Sequence, residues 1–164
     1  MPKSKKTPFK SNKVHLNDAR ILSFNVGGSS EIYVAPEEIS GINFQVKSEE
    51  SFNQLEKRVR IILNIIVDIL INENESSEQR LISEFGKYRI GFSFLVDNFD
   101  ELIHPSGEME SPASVDGTLV THLLAIAYAT ARGMILVKTT GTSLEGAILP
   151  IIDPSELLDK ALEN

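Results

Sequence analysis

Between Asp116 and Thr139 the chain reads GTLVTHLLAIAYATARGMILVK, and before Lys138 at its end the only strongly polar residues are His122 and Arg132. The stretch is expected to form one long helix. A helix that is apolar on nearly every side cannot rest on a protein surface with one side in water. It needs cover from two directions, from the sheet of its own domain and from a second body. In a chain of 164 residues the expected second body is another copy of the same chain. The stretch approaches membrane-spanning length. However, His122, Arg132 and five Thr or Gly positions lie within it, and an amphipathic tail follows it, which favours a core helix.

The segments before this helix alternate. Residues 56–72 place Val59, Ile61, Leu63, Ile65, Val67, Ile69 and Ile71 on one side. Arg58, Arg60, Ile62, Asn64, Ile66, Asp68 and Leu70 fall on the other. A period of two with β-branched side chains is the pattern of a strand with one buried side. A polar turn at 72–78 leads into a returning strand over 80–96, so the two are expected to form a long antiparallel hairpin. Gly86 and Gly91 within the return suggest bulges or close approach by another segment. Shorter strands are expected at 19–26 and 42–48, a loop at 27–41, and a linker over 98–114 with a turn of helix near Phe99. Gly141-Thr142-Ser143 ends the long helix. Asp153 then caps a final short helix with Pro154 at its first position and Glu156 as capping-box partner. Strands first and helices last make an α+β fold: a four-stranded antiparallel sheet with a long helix and a short C-terminal helix on one side.

Composition narrows the function classes. The chain has no cysteine, so disulfides and thiolate metal sites are excluded. Residues 1–13 carry five lysines and no acid, which is expected to make 1–18 a disordered tail ahead of one domain spanning 19–164. Their polar character is not that of a secretion signal, and a cytoplasmic protein is expected. The other 151 residues carry 11 basic against 23 acidic groups. An acidic body disfavours nucleic acid, whose affinity comes from Lys and Arg on phosphates. His15, His104 and His122 lack metal-ligand spacing, so no metal is expected. Gly133 and Lys138-Thr139 lack the second glycine of a phosphate loop. Lys138-Thr139-Thr140-Gly141 has no Ser-x-x-Lys partner of the kind serine acylases need. No acid–base constellation suggests an enzyme, and no cofactor is expected.

Several motifs, in order, resemble the SecB family of export chaperones. They are Phe44-Gln45-Val46-Lys47, the hairpin from Glu56 through Leu81-Ile82-Ser83-Glu84-Phe85, Ala131-Arg132, Thr139-Thr140-Gly141-Thr142 and Leu149-Pro150-Ile151-Ile152-Asp153 through Leu157. The resemblance covers about residues 19–160. It implies a homotetramer built as a dimer of dimers, or a dimer, with long helices between subunits. It also implies a groove that holds unfolded or preprotein polypeptide without ATP or metal. The family docks the SecA motor through acids on its first strand, where this chain has Arg20-Ile21-Leu22-Ser23-Phe24-Asn25. Ile82 and Glu84 match the motor-facing patch of the hairpin, so SecA is a candidate partner through them. SecB-like proteins tied to toxin–antitoxin systems share the pattern.

A surface that holds clients must be apolar and adaptable. The candidates are Phe44, Phe52, Phe85, Phe92, Phe94 and Leu149, with Leu157, Leu158 and Leu162 on the last helix. At the oligomer interface, Ala125, Ala129 and Gly133 are small enough for backbones to approach closely, and Arg132 is expected to pair with an acid across the boundary. The alternative class is a small-ligand or thioester enzyme of the hot-dog kind, which also lays a long helix on an antiparallel sheet. That fold places its helix early, whereas here the strands come first.

Overall fold

The computed structural model describes residues 10–27, 33–72, 79–104 and 114–161. Four long strands come first: β1 Val14–Val26, β2 Ile39–Asn53, β3 Arg58–Asn72 and β4 Gln79–Val96. They form one antiparallel sheet in the order β1-β4-β3-β2. A two-residue pair, β5 Ile103–His104 with β6 Ser114–Val115, leads into α1 Gly117–Lys138, and α2 Ser155–Ala161 closes the described chain. The α+β architecture is therefore as the sequence suggests. The expected disordered start is corrected in part: β1 begins at Val14, five residues before the expected strand. Residues 1–9 and Leu162 lie outside the described residues. The second strand is also longer than the expected 42–48.

The core follows from register. Val59, Ile61, Leu63 and Ile65 of β3 stand opposite Phe94, Phe92, Ile90 and Tyr88 of β4, and all eight are buried. Cross-strand apolar pairs of this kind are the unit of sheet stabilisation. Over them lies α1, which contributes Leu119, Leu123, Leu124, Ala127, Ala131 and Ile135 from one side. Asp116 caps α1, its side chain accepting the Thr118 N–H at 2.8 Å. The short α2 packs against β2 and α1. Asp153 caps it by accepting both the N–H and the hydroxyl of Ser155, at 2.9 and 2.8 Å, which holds its carboxyl below the usual range.

Irregularities adjust which residues face the helices. On β1 the register shifts between Leu16 and Asp18 and again between Ile21 and Ser23. The inward set accordingly passes from Leu16 to Ala19 and Ile21, then to Phe24 and Val26. A larger bulge sits in the hairpin. Between the pairs Val67–Gly86 and Ile69–Ile82, β3 has only Asp68, while β4 has Ser83, Glu84 and Phe85. Glu84 adopts φ 55°, an unusual conformation for a residue with a side chain. Asp68, buried in the sheet, holds this kink. Its carboxylate accepts the Glu84 N–H at 2.7 Å and the Gln45 amide at 2.8 Å.

Just past the bulge, a Cβ on Gly86 would meet Leu144 Cδ1 at 2.9 Å and Val67 Cβ at 3.1 Å. The expectation of close approach at Gly86 is met by these side chains. At Gly91 the approaching atom is Leu22 Cδ1, at 3.1 Å from a built Cβ.

Asp68→Ala removes the acceptor of a strained backbone N–H. The expected outcome is a loss of about 1–3 kcal/mol in denaturant unfolding, the cost of leaving such a group unpaired. Asp68→Asn, which keeps one acceptor oxygen, is expected to lose less.

Candidate polypeptide-binding surface

The sheet covers one side of α1 and leaves the other open. On the open side Ala125, Ala129 and Gly133 fall at four-residue intervals, followed by Leu136 and Val137; Val137 is 77% exposed. Nothing lies within 4 Å of a Cβ built on Gly133, so no packing within the chain requires a glycine there. Between this side of α1 and the inward row of β1 runs an apolar trough of about 740 Å³, lined by Ile21, Thr130, Gly133, Met134, Val137 and Lys138. The trough exists because α1 lies over the two central strands and leaves the β1 edge uncovered. Phe24 borders it, with its ring stacked on Tyr88 at 6.2 Å and the Lys138 ammonium 4.3 Å from its centroid. An ammonium over a ring is a favourable contact that keeps a charge at the rim of an apolar surface.

Arg132 does not point its Nε at an acid. It donates to the Leu149 carbonyl at 2.9 Å, and the Tyr128 hydroxyl donates to the Pro150 carbonyl, also at 2.9 Å. Burial raises the Tyr128 pKa, with the nearby Arg132 charge opposing it. These two bonds fasten the segment after α1 along the helix. Leu144, Ala147 and Leu149 point inward from that segment, while Ile148 and Ile151 project into solvent, Ile151 being 85% exposed.

The expected client residues divide. Phe85, Phe92, Phe94, Leu149 and Leu157 are core residues and are corrected as surface candidates. The reason is phase: Phe92 and Phe94 share the inward row of β4 with Tyr88 and Ile90, and the bulge turns Phe85 inward. Leu157 is the buried contact of α2, whose carbonyl lies 3.4 Å from the Ser48 hydroxyl. Phe44 and Leu158 are half-buried, and Phe52 remains 44% exposed at the end of β2. Leu55, Ile148 and Ile151 are exposed apolar residues that sequence reasoning missed. For Ile148 the signal was its position between the apolar Ala147 and Leu149, and for Leu55 its place in the turn between β2 and β3. Ile82 is half-buried opposite Ile69, and Glu84 is exposed with its carboxylate on Lys87 Nζ at 2.7 Å. His122 is half-buried on α1 and is not without a partner. Among the described residues no cluster of His, Asp and Glu is placed to hold a metal ion.

The buried Tyr88 hydroxyl has no hydrogen-bond partner among the described residues, and burial pushes its pKa up to about 12. The ordinary value of about 10 applies to the unfolded chain. Raising the pH from 10 to 12 therefore ionises Tyr88 when unfolded before it ionises when folded, and stability is expected to fall across that window. Tyr88→Phe is expected to remove this component of the fall. It is also expected to leave stability at pH 7 unchanged or raised by about 1 kcal/mol, because the hydroxyl it deletes is unpaired. Urea unfolding at pH 7, 10 and 11 measures both.

No protein-family model matches the chain, and no curated protein matches it. The likeness to SecB therefore rests on the motifs quoted above.

Proposed function

We propose that the chain is an ATP-independent molecular chaperone that holds unfolded or preprotein polypeptides, works in the cytoplasm, and assembles with copies of itself as a tetramer or dimer. The single observation that supports this most is the amount of apolar surface left uncovered: the trough between β1 and α1, which suits a second copy, and the exposed Phe52, Leu55, Ile148 and Ile151 apart from it. The chain's longest helix presents Val137, Leu136, Met134 and a line of small residues outward, beside an edge strand whose inward row is only partly covered. Apolar surface of that kind gains about 25 cal/mol for each Å² removed from water, without demanding a particular side chain. A second copy covers α1 along Ala125, Ala129 and Gly133. Clients are held by the separate exposed residues Phe52, Leu55, Ile148 and Ile151. Export is one role for such a holdase, and service to a toxin–antitoxin pair is the other. The hot-dog enzyme is disfavoured because all four long strands precede α1.

SecA is a weaker partner in this reading. Glu84 is already engaged with Lys87, and β1 offers Arg20 where an acid would attract a basic motor surface.

Refolding a denatured client with an equimolar amount of the protein is expected to suppress light scattering by most of its amplitude without nucleotide. Ile151→Asp with Phe52→Ser is expected to weaken suppression severalfold at unchanged circular dichroism. Val137→Glu is expected to shift sedimentation toward the 18.1 kDa monomer. A compact wild-type monomer at micromolar concentration that leaves client aggregation unchanged overturns the proposal.

A further inference from the structure

The side of the sheet away from the helices holds a second trough, of about 660 Å³, with a different chemistry. It runs across one end of the sheet. Its floor is β4, where Gly91 and Ser93 offer almost no side-chain bulk. Its walls are Asp18, Arg20 and Leu22 from β1 and Arg58, Arg60 and Ile62 from β3. Register brings these residues together. Arg60 stands between Ser51 and Ser93, Ser93 also faces Asp18, and Gly91 lies between Arg20 and Ile62. On a chain of net charge −7, three guanidinium groups therefore converge on one concavity against a single carboxylate, Asp18.

The trough's polar groups are incompletely used. Arg60 has no ion-pair or hydrogen-bond partner among the described residues. Arg20 is paired with Asp18, Nε to Oδ2 at 2.7 Å. Arg58 Nε lies 3.2 Å from Glu56 Oε2 yet is buried without making a hydrogen bond. Ser93 is only 8% exposed, and its hydroxyl, on the trough floor, also has no partner. Buried polar atoms are ordinarily satisfied, so the unpaired Ser93 hydroxyl, cross-strand from the exposed Arg60, leaves a donor pair that a bound acceptor can use. Glu49, opposite Ile62 on β2, is taken by Asn64 at 2.7 Å and by Arg89 at 3.5 Å.

We propose that this trough binds an extended acidic peptide through its carboxylates, with Arg60 and Ser93 at the centre and Arg58 and Arg20 at the sides. Guanidinium groups take carboxylates through paired N–H donors. Arg58 and Arg60 are two residues apart on one strand, about 7 Å, and carboxylates two residues apart on an extended peptide share that spacing. The open, elongated shape across several strands suits a peptide better than a compact ion. Leu22 and Ile62 give its aliphatic stems an apolar wall. Beyond the lysine-rich start the body is acidic overall, so this cluster of arginines is a local exception that attracts carboxylates.

The test uses the full chain and a fluorescently labelled heptapeptide of alternating serine and glutamate, with its glutamine counterpart and inorganic tripolyphosphate as comparators. Saturable binding of the glutamate peptide is expected, at least tenfold tighter than the glutamine one and weakened by added salt. Arg60→Ala is expected to weaken it tenfold or more, and Ser93→Ala severalfold. Arg89→Ala removes the same charge outside the trough and is expected to change it less than twofold. Circular dichroism confirms that each variant is folded. Equal binding of both peptides, an Arg89→Ala loss matching that of Arg60→Ala, or binding of tripolyphosphate but not the peptide each overturns the proposal.

Discussion

The structure depends on the pairing of β3 with β4. Each strand turns an unbroken apolar row toward α1, and the rows meet residue against residue from Val59–Phe94 to Val67–Gly86. The outer strands add to this ladder, and both helices close over it. Cores are packed at the density of organic crystals, so a row without gaps fixes the position of whatever lies upon it. The placement of α1 over the two central strands follows, and with it the open strip beside β1.

How much of this was legible depends on where residues sit in the sheet. β3 could be read directly because seven aliphatic residues keep strict alternation through 59–71. The cap of the last helix was readable from Asp153, since a capping carboxylate acts on backbone two residues away. Edge strands were under-read. β1 and β2 carry polar residues on their outer side, and two bulges break the inward pattern of β1, so no simple period survives. The bulge beside Gly86 was signalled by that glycine, but the part of Asp68 was invisible because it acts through a hydrogen bond to the backbone of another strand. Phe92 and Phe94 were placed at the surface by residue type alone; their phase with Tyr88 and Ile90 already indicated the core. Arg132 shows a similar limit. A lone arginine in an apolar helix requires an acceptor, but here the acceptor is a carbonyl that returns to the helix only after the chain reverses.

The two sides of the sheet divide their chemistry. The helix side is apolar wherever it is uncovered, at the β1–α1 trough and along the tail. The opposite side mixes aliphatic residues with arginines, of which Arg20, Arg58 and Arg89 lie against acids and Arg60 does not. One sheet thus presents two environments less than a side chain apart in sequence, since adjacent residues of a strand point to opposite sides.

The fastening of Leu149 and Pro150 has an energetic consequence. Two side chains of α1 hold successive carbonyls, and Pro150 itself has a fixed φ. Ile148 and Ile151 are thus borne on a stretch that has already surrendered its backbone freedom. Whatever settles on them meets a rigid comb, and the entropy of ordering that stretch was spent during folding, so it is not charged again against the affinity.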